Sequence, residues 1–262
     1  MKINTNKLLR GDRSLMLACD QGLEHGPQDF NLKNLDPQYI LDIALEQRYS
    51  AVILQAGLAE KYYHEAYKDV PLVAKINGKT SLLSGEPYSP QLCSVDRAIK
   101  IGADAIGYTL FPGSAREADI FQNFTSVVER AHDYGIPVIA WMYPRGKAIK
   151  NDIDTNILAY AARIGLELGA DFLKLKYNHD PEGFKWVVKN AGRARVLAAG
   201  GDKQSPQDFL HTSKEMLSTG ITGFAVGRNV WQDENPHGVS KALNDLVFHN
   251  KEVQDVLHHI NK

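Results

Sequence analysis

The chain has 262 residues, 44% of them hydrophobic and 23% charged, with a formal net charge of −1. That length holds either two small domains or one large α/β barrel, and the near-neutral balance supplies no long-range pull on nucleic acid or on anionic membranes. Only two cysteines occur, Cys19 and Cys93, and CxxC, HExxH and His-x-His patterns are missing, which argues against a disulfide framework or a metal site and fits a reducing, cytoplasmic setting. The basic start (Lys2, Lys7, Arg10) precedes an apolar run, 15–19, too short for a signal-peptide core. No stretch approaches the roughly 18 apolar residues of a membrane span.

Short apolar or β-branched runs alternate with longer amphipathic ones along the chain. The first expected strand is 14–19 (SLMLAC). A helix follows over 36–48, opened by Asp36-Pro37 with proline at its first helical position. Strands are then expected at 51–55 and 71–76, and the long break at 77–93 reads as an ordered loop. A helix opens at Ser94 (94–101), and a strand follows at 104–108. The next helix opens at Ser114 (114–134), leading to strand 137–142. Asp154 opens helix 154–168 before strand 171–176. Strand 195–199, helix 205–219, strand 222–226 and helix 236–249 complete the order. Three helix exits repeat one another: IGADAIGY at 101–108, LGADFLKL at 168–175 and TGITGFAV at 219–226. Each places glycine where a left-handed cap is needed, then a short link into a buried strand. Such alternation implies parallel strands with right-handed crossovers. Eight strands in this length suggest a single-domain (β/α)8 TIM barrel over 1–262. The alternative, an open doubly wound sheet, lacks a GxGxxG after the first strand.

In a barrel the chemistry lies at the C-terminal strand ends. Strand six, within ADFLKLKY (170–177), places Lys174 and Lys176 on one face by the period of two. An edge strand could snorkel both lysines into water. In a closed barrel, burial and mutual repulsion would instead lower both pKa values, and a neutral lysine is a nucleophile able to form a Schiff base with a carbonyl. Strand five ends in Trp141-Met142-Tyr143-Pro144-Arg145, where Trp141 and Tyr143 share a face and a buried phenol calls for a partner. Strand one ends in Asp20, followed by Glu24 and His25; strand three runs into Lys75, Asn77 and Lys79. Strands seven and eight end in Gly200-Gly201 and Gly227-Arg228. The exposed backbone N–H groups and the guanidinium there suit a phosphate. Arg145 supplies a second cation away from Arg228, so a substrate phosphorylated at both ends would fit.

The segments LACDQGLEHGP (17–27), KINGKTSLLSGEP (75–87), AIGYTLFPGS (105–114), WMYPRGKA (141–148), GADFLKLKY (169–177), LAAGGDK (197–203) and AVGRNVWQ (225–232) resemble the archaeal-type class I fructose-bisphosphate aldolases. These belong to a wider (β/α)8 Schiff-base superfamily that includes deoxyribose-phosphate aldolase. The resemblance implies a metal-independent, cofactor-free cleavage of fructose 1,6-bisphosphate. Lys174 would form the Schiff base, Tyr143 would shuttle protons, Trp141 would shape the site, and Asp20 would orient the substrate hydroxyls and the lysine. Gly200, Gly201, Gly227 and Arg228 would hold the phosphate nearer the carbonyl, and Arg145 with His25 the far one. Lys176, beside the substrate, would keep Lys174 neutral by like-charge repulsion. The resemblance also implies a large homo-oligomer. One departure is Ala199, where many of these aldolases carry serine; the lost hydroxyl should weaken the phosphate grip by roughly 0.5–1.5 kcal/mol. Two other readings remain open: a related lysine-dependent, transaldolase-like synthase acting on another sugar phosphate, and a phosphometabolite-binding barrel without chemistry.

Overall fold

The structure, a computed structural model, describes residues 3–261; Lys2 lies outside them. Eight strands form the frame: β1 (Ser14–Cys19), β2 (Ala51–Gln55), β3 (Leu72–Lys75), β4 (Ala105–Leu110), β5 (Val138–Met142), β6 (Phe172–Leu175), β7 (Arg195–Ala199) and β8 (Gly223–Val226). Each pairs in parallel with the next, and β8 returns to β1 in the register Met16 to Ala225, so the sheet closes into a barrel. Closure leaves no strand edge on which lysines could snorkel, which disposes of the edge-strand reading of β6.

Alternation divides the apolar side chains into two cores. Met16, Ala18, Ile53, Val73, Ile139, Phe172 and Leu197 point inward and fill the barrel. Leu15, Leu17, Val52, Leu54, Leu173 and Leu175 point outward beneath the helices. Strands buried on both faces read as continuous apolar runs rather than alternating ones. At the N-terminal end Leu8 joins the inner core from the turn Asn6–Leu8, held by a 2.7 Å hydrogen bond from Ser14 Oγ to its carbonyl.

Helix starts follow the expected caps. The side chains of Asp36, Ser94, Asp154 and Ser205 accept hydrogen bonds from the first turns of the helices they precede. The three glycine exits turn left-handed at Gly102 (φ 108°), Gly169 (φ 86°) and Gly220 (φ 89°). Three expectations need correction. The helix placed from Ser114 runs Glu117–Asp133, because Ser114 Oγ is engaged by the Arg116 amide and donates to the Pro87 carbonyl at 2.6 Å, fastening the 77–93 loop. Two further helices, Ala56–Tyr62 and Pro181–Asn190, follow β2 and β6. The first has no side-chain cap; the second opens at Pro181, with the Asp180 side chain accepting from the Gly183 amide. Finally, β6 ends at Leu175, so Lys176 lies beyond the ladder. Among the described residues no helix is long and apolar enough to cross a membrane.

Candidate active site

The inward face of β6 carries Lys174 only 6% exposed, opposite Trp141 in the ladder between β5 and β6. Its Nζ lies 5.0 Å from the centroid of the Trp141 ring and has no hydrogen-bond partner among the described residues. Burial lowers its pKa from the usual lysine range, against a smaller opposing pull from Asp20. The indole lies across β4 at Gly107, where an added Cβ would come within 2.6 Å of it. Glycine there makes room for the ring.

On the other flank of that ring stands a second buried lysine. Lys75, 4% exposed on the inward face of β3, has Nζ 5.6 Å from the same centroid. Its Nζ donates to the Asn77 carbonyl at 2.7 Å and to Asn77 Oδ1 at 2.8 Å. Asn77 is itself fixed, accepting from the Thr109 amide and donating to the Ser89 and Thr109 carbonyls. Burial is the main reason the Lys75 ammonium is pushed down to about 8; Lys174 lowers it further, while Asp20 and Glu24 oppose.

Tyr143 follows β5 on the same inward face, and its hydroxyl finds no hydrogen-bond partner among the described residues. Burial and then the Asp20 carboxylate hold its pKa well above the usual phenol range, despite opposing pulls from Arg145 and Arg228. At rest it is a phenol, able to give a proton before it can take one.

The rim departs from expectation in two places. Lys176 is paired with a carboxylate: past the strand end its Nζ meets Asp152 Oδ2 at 2.5 Å. Of the lysines in the cavity, Lys75 is the one whose pKa the charge of Lys174 lowers. His25 stands toward β8: its Nδ1 lies 2.6 Å from Asp29 Oδ2, and Asp29 Oδ1 is 3.8 Å from Arg228. Arg145 instead pairs with Glu24 at 3.2 Å, so the turn Gly22–His25 reaches across the mouth from β1 to β5. At the ends of β7 and β8, Asn229 Nδ2 donates to the Gly200 carbonyl at 2.7 Å and the Asp202 carbonyl at 2.9 Å. Its Oδ1 accepts from the Gln204 amide at 2.8 Å. Asn229 thereby ties the glycine pair of β7 to Gly227-Arg228. Gly201 adopts φ 70°, which suits glycine in that turn.

The residues to which the sequence assigned a part in the site line one cavity of about 740 Å³ at the C-terminal strand ends: Asp20, His25, Trp141, Tyr143, Arg145, Lys174, Lys176, Gly200, Gly201, Gly227 and Arg228. Lys75 lines it too. The sequence named Lys75 only as a residue at the end of strand three, yet Val73, Lys75 and Asn77 alternate inward by the same period that picks out Lys174. The role of Asn229 had no local signal, because its partners lie 25 to 29 residues away. Among the described residues no group of three or more His, Cys, Asp or Glu side chains gathers in metal-binding geometry.

Residues 14–233 match the pattern of the DeoC/LacD family aldolases. The chain is 45% identical to a class 1 fructose-bisphosphate aldolase of Thermoproteus tenax over 251 residues, covering 95% of this chain and 94% of the relative. It is 42% identical to that of Halobacterium salinarum, covering 95% of each. A solved archaeal fructose-1,6-bisphosphate aldolase, its catalytic lysine covalently bound to the carbinolamine intermediate of the substrate, superposes with a TM-score of 0.87 at 43% identity, over 94% of this chain and 96% of that one. With the family pattern spanning most of the barrel and such relatives along nearly its whole length, the chain is a member of the DeoC/LacD aldolase family.

Proposed function

We propose that this barrel is a class I fructose-1,6-bisphosphate aldolase, cleaving its substrate reversibly to dihydroxyacetone phosphate and glyceraldehyde 3-phosphate through a Schiff base on Lys174. The observation that carries the reading is a buried amine without a hydrogen-bond partner, set against Trp141 in the cavity that Tyr143 also lines. The similarity to the two curated aldolases supports the choice of substrate.

The residues suit the chemistry in order. Neutral Lys174 attacks the C2 ketone and gives a carbinolamine. Tyr143, a phenol at rest, protonates the departing hydroxyl; water leaves, an iminium remains, and the tyrosine is now a phenolate. The iminium draws the electrons of the C3–C4 bond as the phenolate takes the C4 hydroxyl proton. Glyceraldehyde 3-phosphate departs, and the restored phenol protonates C3 of the enamine. Water then adds to the iminium while the phenolate takes its proton, and collapse of the carbinolamine frees dihydroxyacetone phosphate and the amine. Each proton is returned to the group that lent it. Asp20 faces Lys174, Lys75 and Tyr143, so it orients hydroxyls and balances charge at the reacting centre. The Gly200-Gly201 and Gly227-Arg228 ends hold one phosphate with His25 beside Arg228, and Arg145 takes the other, releasing Glu24. Two free thiols, one buried, agree with a cytoplasmic setting. Tyr160 and Trp186, exposed on neighbouring helices, offer apolar surface for self-association.

Incubation with fructose 1,6-bisphosphate and borohydride should add the mass of reduced dihydroxyacetone phosphate to the peptide carrying Lys174, and Lys174→Met should abolish both labelling and cleavage. Labelling elsewhere, or cleavage surviving in Lys174→Met, would overturn the assignment. A panel of monophosphorylated sugars in the same assay tests the bisphosphate preference assigned to Arg145.

A further inference from the structure

The N-terminal end of the barrel carries a second cavity, of about 370 Å³, on the face opposite the chemistry. Three segments meet there: residues 7–10 ahead of β1, the turn 45–50 that enters β2, and residues 69–71 that enter β3. Two guanidinium groups line it, and among the described residues no carboxylate pairs with either. Arg10 stacks on the ring of Phe248, 3.5 Å from its centroid, and donates to Asn244 Oδ1 at 2.5 Å, so both of its partners are neutral. The Arg48 side chain has no hydrogen bond or ion pair among the described residues. Burial, and then the charge of Arg48, lower the pKa of Arg10, so the two cations are near enough to repel. Of the other charged groups in the pocket, Lys7 is paired with Asp104 at 2.7 Å, and Asp69 forms no ion pair with either arginine. Ser50, only 5% exposed, lines the same pocket. Its Oγ accepts from the Leu15 amide at 3.1 Å, and its own proton has no acceptor among the described residues.

The backbone at Arg48 is unusual as well. The residue follows the helix Pro37–Glu46 and its cap Gln47 at φ 52°, a left-handed exit of the kind that glycine makes at Gly102, Gly169 and Gly220. A side chain there carries a steric cost that glycine avoids. The turn itself is fixed, with the Arg48 amide donating to the Leu45 carbonyl at 3.1 Å and the Tyr49 amide to the Ala44 carbonyl at 3.0 Å. The chain thus spends a strained position on a cation that nothing in the fold uses.

We propose that this pocket binds a phosphate dianion, gripped by Arg10 and Arg48 and by the Ser50 hydroxyl. Two guanidinium groups that repel one another are both stabilised by an anion placed between them, and phosphate oxygens accept paired hydrogen bonds from such forks. Ser50 supplies a neutral donor from a buried position. Leu9, Leu45 and Val70 line the pocket too, giving apolar surface for the carbon chain of a phosphate monoester. The site is separate from the strand ends of β7 and β8, which lie at the other face of the barrel, and it stands independently of the aldolase reading.

The test is hydrogen–deuterium exchange read by mass, with inorganic phosphate or glycerol 2-phosphate titrated into the full chain at constant ionic strength. Exchange in peptides covering residues 7–13 and 45–50 should slow saturably, and Arg48→Gly should raise the midpoint concentration about tenfold or more. Glycine suits the backbone at that position, so the variant should melt no lower than the parent in phosphate-free buffer. If it does melt lower, Arg48→Gln takes its place in the same comparison. Slowing at residues 200–203 and 227–229 reports the other face and should be equal in parent and variant. A lower midpoint for glycerol 2-phosphate assigns the pocket to a monoester, and a lower or equal one for inorganic phosphate assigns it to the free ion. The proposal is wrong if neither probe slows exchange saturably in residues 7–13 and 45–50 of the parent, or if the midpoint there is unchanged when Arg48 is replaced.

Discussion

At the residue scale, Lys174 meets opposite demands from folding and from chemistry. A lysine whose ammonium is disfavoured in the folded state weakens the fold most at pH values below its folded pKa. The loss fades as pH rises from there toward the ordinary lysine range. Since burial lowers the pKa of Lys174 and no hydrogen bond compensates, Lys174→Met should abolish turnover yet raise the melting temperature by roughly 2–4 °C near neutral pH. That gain should shrink in melts repeated at higher pH. A lower melting temperature for the variant at neutral pH would show that the amine is better accommodated than its surroundings imply. The sequence made Lys174 visible because two lysines in an apolar strand are costly in a closed barrel. Spacing along β6 points to Lys176 as its neighbour in sequence, and barrel closure adds Lys75 across the Trp141 ring.

At the scale of elements, the site depends on one missing side chain. Gly107 on β4 leaves the space into which Trp141 of β5 lays its indole. Gly107→Ala would place a Cβ about 2.6 Å from that ring, and overpacking of this kind typically costs about 1–3 kcal/mol. The displaced ring would also shift both flanking amines. Urea unfolding should therefore show reduced stability, with altered tryptophan fluorescence and a several-fold lower kcat. Unchanged kcat and fluorescence would indicate that β4 relaxes around the methyl group. Element positions were largely legible beforehand: the strands fall within a residue or two of their expected bounds, and capping side chains mark most helix starts. The helix Ala56–Tyr62 was not legible, because it is short and uncapped and is held by packing against β2 and β3. Ser114 misled because a serine able to cap a helix was instead recruited by the Pro87 carbonyl across the 77–93 loop.

At the scale of the whole molecule, the two ends of the barrel are built for different purposes. The N-terminal end is plugged by Leu8, fully buried in the inner core, while the C-terminal end opens into the cavity. Leu8→Ala should cost about 2–5 kcal/mol in chemical denaturation while leaving kcat/KM within about twofold of the parent, because the plug lies at the opposite face from the chemistry. A large fall in kcat/KM at temperatures where the variant remains folded would show that the inner core transmits the loss to the mouth.

The order of apolar runs, caps and left-handed glycines was enough to specify eight strands and six of the helices between and after them. Local propensity and alternation act over a few residues and are written directly in the chain. The same alternation, applied to strand ends, named the residues that line the cavity. Tertiary structure alone decided which of those groups face one another. Lys75 and Lys174 are 99 residues apart in the chain, and the Asn77 acceptors that hold one amine but not the other act across β3, β4 and the loop at Ser89. Hydrogen bonds and charge act through space over a few ångströms, and only closure of the barrel determines which side chains come within that range.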